Sequence, residues 1–191
     1  MGFPLKKTET YAYGDYLRWP EDERWELIYG DAYNMSAAPS TRHQLVSGEL
    51  YRQIANFLSD KACKVLSAPF DVRLPNRNEA DEEVETVVQP DISVICDLKK
   101  IDDRGCRGAP DFIAEITSPF TASKDNIRKV ALYEKHGVKE YWIIHPFDNI
   151  VYVRLLNENG RYGSPAIYEA LGQLEIATLP GLKIDLELLF R

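Results

Sequence analysis

Apolar residues recur along this chain with two spacings, one near 3.6 and one of two, and their order predicts a mixed α/β architecture. Residues 15–19 read as a short helix stopped by Pro20, and 24–29 and 32–35 as a strand pair turning on Gly30 and Asp31. Ser40 or Thr41 caps a helix predicted to run to about residue 59, with Val46, Leu50, Ile54, Phe57 and Leu58 on one stripe. Residues 64–74 are strand-like. The acid-rich stretch 76–85 reads as a solvated loop, and 87–96 as one strand with Pro90 near its start.

Residues 97–108 read as a polar connection, and 111–117 as a strongly apolar strand. Several N-cap candidates in 118–123 precede a helix predicted over about 122–136, with Gly137 as its stop. Residues 140–145 and 150–155 form two further strands around a turn, and short strands follow near 167–168 and 174–176. Strands flanked by two substantial helices place the chain in the α/β or α+β class.

A length of 191 residues predicts a single domain, 1–191, with no internal repeat or dividing linker. Apolar residues make up 45% of the chain, which excludes intrinsic disorder. A net charge of −7 excludes a protein that coats nucleic acid or anionic membrane through a general positive field. The loop acids Glu79, Asp81, Glu82, Glu83 and Glu85 supply much of that charge, so a small, locally basic site stays compatible with it. Cys63, Cys96 and Cys106 form neither an even disulfide set nor a Cys-x-x-Cys pair, and predict free or buried thiols in a reducing cytosol. No apolar run approaches the ~18–20 residues of a membrane helix, and the first residues carry no signal-peptide pattern. The expected location is cytoplasmic.

Two acids lie where strands should be apolar. Asp91 interrupts 87–96 and shares a strand face with Ser93 and Ile95; Glu115 interrupts 112–116 and shares one with Ile113 and Thr117. A carboxylate buried in a sheet is costly unless paired or bound to metal. If the two strands are neighbours their carboxylates converge, and Mg²⁺ resolves the repulsion by accepting one or two carboxylates while keeping several waters. Alternatively each acid sits at a strand end and reaches solvent. Glu26, between Trp25 and Leu27, is a third carboxylate for such a site or an exposed-face residue. On the helix after Glu115, Lys129 is followed by the apolar Val130 and Ala131, which favours it over Lys124 as the lysine facing the sheet.

These residues resemble the PD-(D/E)XK nuclease superfamily, and most closely its Uma2 family (DUF820) of restriction endonuclease-like proteins. The resemblance is carried by Trp25-Glu26-Leu27-Ile28-Tyr29-Gly30, His43, Gln89-Pro90-Asp91-Ile92-Ser93-Val94, Pro110-Asp111-Phe112-Ile113-Ala114-Glu115-Ile116, Lys129-Val130-Ala131-Leu132-Tyr133 and Gly137-Val138-Lys139-Glu140-Tyr141-Trp142-Ile143. It implies a central mixed sheet flanked by helices. It further implies Asp91, Glu115 and Glu26 as ligands of Mg²⁺ or Mn²⁺, Lys129 as the active-site lysine, and a role for His43. Thr117 stands where the superfamily pattern places its lysine, and His145 where the family's strand runs on to an Asp. His43 is suited to contacting a phosphate, relaying a proton, or holding a neighbouring group.

The function so implied is metal-dependent hydrolysis of phosphodiester bonds in DNA, with a homodimer suited to duplex cutting. The alternative is a catalytically silent nuclease fold that binds nucleic acid or a protein partner. Glycoside hydrolysis by paired carboxylates ranks below both, since nothing in the sequence demands a sugar-sized cleft.

Overall fold

The computed structural model describes residues 10–20, 22–35, 38–117 and 124–191; the helix-capping candidates of 118–123 lie outside them. Its strands are β1 (Trp25–Ile28), β2 (Asp31–Asn34), β3 (Lys64–Ser67), β4 (Val72–Arg73), β5 (Val87–Val88), β6 (Ile92–Ile95), β7 (Ile101–Asp102), β8 (Gly105–Arg107), β9 (Phe112–Ile116), β10 (Glu140–His145), β11 (Ile150–Leu155), β12 (Ala166–Glu169), β13 (Gln173–Glu175) and β14 (Lys183–Asp185). The helices are α1 (Tyr13–Tyr16), α2 (Thr41–Leu58), α3 (Lys124–His136) and α4 (Leu186–Leu189).

The expected mixed α/β fold is carried by two six-stranded mixed sheets flanked by few helices. The first is ordered β2-β1-β5-β4-β8-β7 and the second β12-β11-β10-β9-β6-β3; β13 and β14 make a separate hairpin. Prolines and turns decide which strands go to which sheet. Residues 64–74 break after β3, where Pro69 removes a backbone donor, and β4 joins the other sheet. Pro90 likewise divides 87–96 into β5 and β6, which go to different sheets. The stretch 97–108 holds the hairpin of β7 and β8, strands too short and polar to register as an alternating pattern.

The second sheet, the larger by the length of its strands, separates two cores. On one face α2 lays down Val46, Leu50, Ile54 and Leu58 against Ile92, Val94, Phe112, Ala114 and Trp142, and the C-terminal hairpin and α4 complete that layer. The other face presents Ile95, Ile113, Tyr141 and Ile143 to Leu132 and Tyr133 of α3 and to Ile28, Val72 and Val88 of the smaller sheet. Ser40 caps α2, its side chain accepting from the His43 amide. Tyr29 and Gly30 both adopt positive φ, 52° and 74°, and make the tight turn between β1 and β2.

The acidic stretch 76–85 is only partly a solvated loop. Arg73, fully buried, donates to Asp81 and, at 2.6 and 2.7 Å, to both oxygens of Asp102. The cysteine expectation also needs correction: Cys63 and Cys96 form a disulfide, leaving Cys106 as a buried thiol. The β3–β6 register pairs Lys64 with Ile95, so Cys63 and Cys96 fall opposite each other one step beyond it. The thiol argument for a reducing compartment is thereby removed. Among the described residues no helix is long and apolar enough to cross a membrane.

Candidate metal and catalytic site

The site forms on the sheet face covered by α3. The antiparallel register of β6 and β9 pairs Ile92 with Ala114, which sets Asp91, just before β6, across from Glu115. Glu26 arrives from β1 of the smaller sheet, Lys129 from α3 and His43 from the first turn of α2. The five residues singled out from sequence therefore come together, and hydrogen bonds link them into two groups, Lys129 with Glu26 and Glu115, and His43 with Asp91.

Lys129 Nζ lies 2.8 Å from Glu115 Oε1 and 2.9 Å from Glu26 Oε1. Glu26 Oε1 also accepts the Gln89 amide at 2.9 Å, while Glu26 Oε2 is buried without a hydrogen-bond partner. His43 Nε2 is 3.2 Å from Asp91 Oδ2, which also accepts the Ile116 amide at 2.7 Å. Because that carboxylate oxygen can only accept, His43 carries its proton on Nε2. His43 is thus a buried group that holds Asp91, with its N-terminal helix position supplied by the Ser40 cap.

Burial sets the electrostatics. It pushes the Glu115 carboxyl up, and Asp91 and Glu26 push further against the pull of Lys129, to about 7. Burial alone would lower the Lys129 ammonium, but Glu115 and Glu26 outweigh it and hold the lysine charged. Burial also works against protonating His43, and the Asp91 carboxylate more than offsets it. If all three carboxylates ionise, one ammonium leaves two negative charges uncompensated.

Hard oxygen donors, that excess charge and the orphaned Glu26 oxygen fit a divalent cation of the Mg²⁺ or Mn²⁺ type. Among the described residues no three Asp, Glu, His or Cys side chains are gathered so as to hold a metal ion on their own. Glu26 gives Oε1 to Lys129 and Gln89 and keeps only Oε2 for an ion. Asp91 and Glu115, each with one oxygen not taken by these hydrogen bonds, would supply carboxylates to such an ion.

Three residues near this set went unassigned or unread in the sequence. Tyr133, one helical turn beyond Lys129, donates to Glu115 Oε1 at 2.7 Å; the sequence signal for it is the i, i+4 spacing that puts both on one helix face, within a segment that carries the family resemblance. Gln89 joins the site to a polar network, its side chain accepting from Arg24 and donating to Asp71 at 2.9 Å and to Tyr16 at 3.1 Å. Thr117, in the place of the superfamily lysine, donates to the Ile144 carbonyl and lies 3.1 Å from His145 Nδ1. With the threonine proton spent on the carbonyl, His145 donates through Nδ1, and it stacks edge-on against Tyr152.

Comparison with known proteins finds relatives along most of the chain. An uncharacterized protein of Synechocystis sp. is 23% identical over 180 residues, spanning 93% of this chain and 90% of that protein. A crystal structure described as "a putative nuclease belonging to DUF820" from Anabaena variabilis superposes with a TM-score of 0.74 at 18% identity, covering 94% of this chain and 97% of the other. The family model described as "Uma2: Putative restriction endonuclease" matches residues 13–187, and the chain belongs to that family.

Proposed function

We propose that this protein is a metal-dependent endonuclease that hydrolyses phosphodiester bonds in DNA. The observation that carries the reading is the pairing of Asp91 with Glu115 across adjacent strands, beside a buried lysine. A divalent ion bound there would polarise the scissile phosphate and lower the pKa of a bound water. Asp91 and Glu115 would supply the protein oxygens. Lys129, kept charged by its two carboxylates, adds positive potential where charge grows on the phosphate. His43 and the Ile116 amide fix Asp91 by filling one of its oxygens. With Mg²⁺ or Mn²⁺ the purified protein is expected to nick supercoiled DNA, with loss of activity in EDTA and in Asp91→Ala. Intact DNA under all these conditions, or full activity in Asp91→Ala, would overturn the reading.

A catalytically silent nuclease fold is favoured by a different observation. Lys129 is almost wholly enclosed and both its carboxylate partners are already engaged, while Thr117 replaces the superfamily lysine. Nucleic-acid binding without Mn²⁺ binding would support this second reading. We further propose a homodimer formed through the outer strand β12, where Ile167 and Tyr168 are exposed and the strand edge is unpaired among the described residues. Light scattering giving a monomer mass at micromolar protein would exclude it.

A further inference from the structure

The oxygen that Tyr133 touches is already in use. Glu115 Oε1 accepts from Tyr133 OH at 2.7 Å and from Lys129 Nζ at 2.8 Å. A carboxylate oxygen offers two in-plane lone pairs, so Oε1 has no direction left for a cation. Asp91 shows the same pattern, with Oδ2 filled by His43 Nε2 and the Ile116 amide. Each of the two paired carboxylates thus has one oxygen occupied by protein donors.

We propose that Tyr133 is a positioning residue that, together with Lys129, fills Oε1 of Glu115 and reserves Oε2 for a divalent cation. The proposal rests on the metal-dependent reading above. Tyr133 has the rigidity this requires: it is fully buried, and its ring packs edge-on against Tyr141 with centroids 4.9 Å apart. Its position four residues after Lys129 brings two donors of different length and charge to one oxygen from a single helix face. A phenylalanine would keep the ring packing and lose only the donor. Glu115 could then turn about its last torsion, and Oε1 would compete with Oε2 for the ion.

Isothermal titration with Mn²⁺ alone tests this on the full chain. Tyr133→Phe is expected to bind Mn²⁺ about tenfold more weakly, the usual size of effect when a group holding a metal ligand is removed. Tyr162→Phe is the control, since Tyr162 OH donates to the Val138 carbonyl at 2.7 Å in the same core, away from the Glu115 and Asp91 carboxylates' donors. It should melt earlier while binding Mn²⁺ like the wild type. Wild-type affinity in Tyr133→Phe, or an equal loss in both variants, overturns the proposal. Equal Mn²⁺ binding, or none, by wild type and Asp91→Ala would instead overturn the underlying metal reading and the Tyr133 role with it.

Discussion

The Lys129 ammonium sits between Glu26 and Glu115, 2.9 and 2.8 Å from one oxygen of each, with its side chain 6% exposed. It is an internal cation that offsets two carboxylates contributed by different sheets. Removing a buried partner leaves the remaining charges uncompensated, and such losses cost about 3–5 kcal/mol. Lys129→Met is therefore expected to destabilise the metal-free protein by about 3 kcal/mol, with part of the loss recovered in Mn²⁺. Urea unfolding with and without the ion measures both effects. A metal-free loss below about 1 kcal/mol would mean that the carboxylates are neutral or hydrated.

Glu115 makes the stability of the metal-free protein depend on pH. Its folded pKa is raised by burial from 4.5 to about 7, so across that interval the folded protein holds more protons than the unfolded chain. Stability consequently falls as pH rises through the window and levels off above it. Subtracting the melting profile of Glu115→Gln from that of the wild type should isolate this downward slope. Mn²⁺, binding the ionised form, should raise the melting temperature more at about pH 8 than at about pH 5.5. A flat difference profile would show that Glu115 ionises at its ordinary value.

Much of this was legible in the chain. The 3.6 spacing from Val46 to Leu58 gave α2 and its buried stripe, and charge placed in an apolar strand pointed to Asp91 and Glu115. What escaped depends on partners distant in sequence. Whether 87–96 is one strand or two is decided by which sheets Val87 and Ile92 join, a choice that local alternation does not encode. Tyr133 reads as an ordinary core aromatic until the Glu115 oxygen stands 2.7 Å away. The Cys63–Cys96 bond follows from the β3–β6 register across a separation of 33 residues, and neither cysteine has a local motif.

That disulfide ties the outer strand β3 to β6, the strand that follows Asp91. Closing a loop of this length restricts the unfolded chain, and the expected contribution is about 2–4 kcal/mol. Unfolding in the presence and absence of dithiothreitol should show a loss of this order, matched by Cys63→Ser under oxidising conditions. Identical curves for oxidised and reduced protein would mean that the β3–β6 pairing is held by its packing against α2 alone.

His43 has two possible kinds of role, and the geometry favours one. Its Nε2 points at Asp91 Oδ2, and with the residue only 8% exposed and its Nδ1 buried without a partner, a direct phosphate contact is poorly served. The expected effect of His43→Ala is therefore on the ion: Mn²⁺ affinity should fall about tenfold, because Asp91 loses a donor that orients it. The KM for DNA measured at saturating Mn²⁺ should change little, while kcat at limiting Mn²⁺ should drop with ion occupancy. A histidine that touches the phosphate would give the reverse pattern, with KM raised at saturating ion and Mn²⁺ affinity unaltered. Titration with Mn²⁺ and steady-state cleavage on the same preparation separate these outcomes, and restoring a donor with His43→Gln should recover part of the Mn²⁺ affinity only if holding Asp91 is what the residue does.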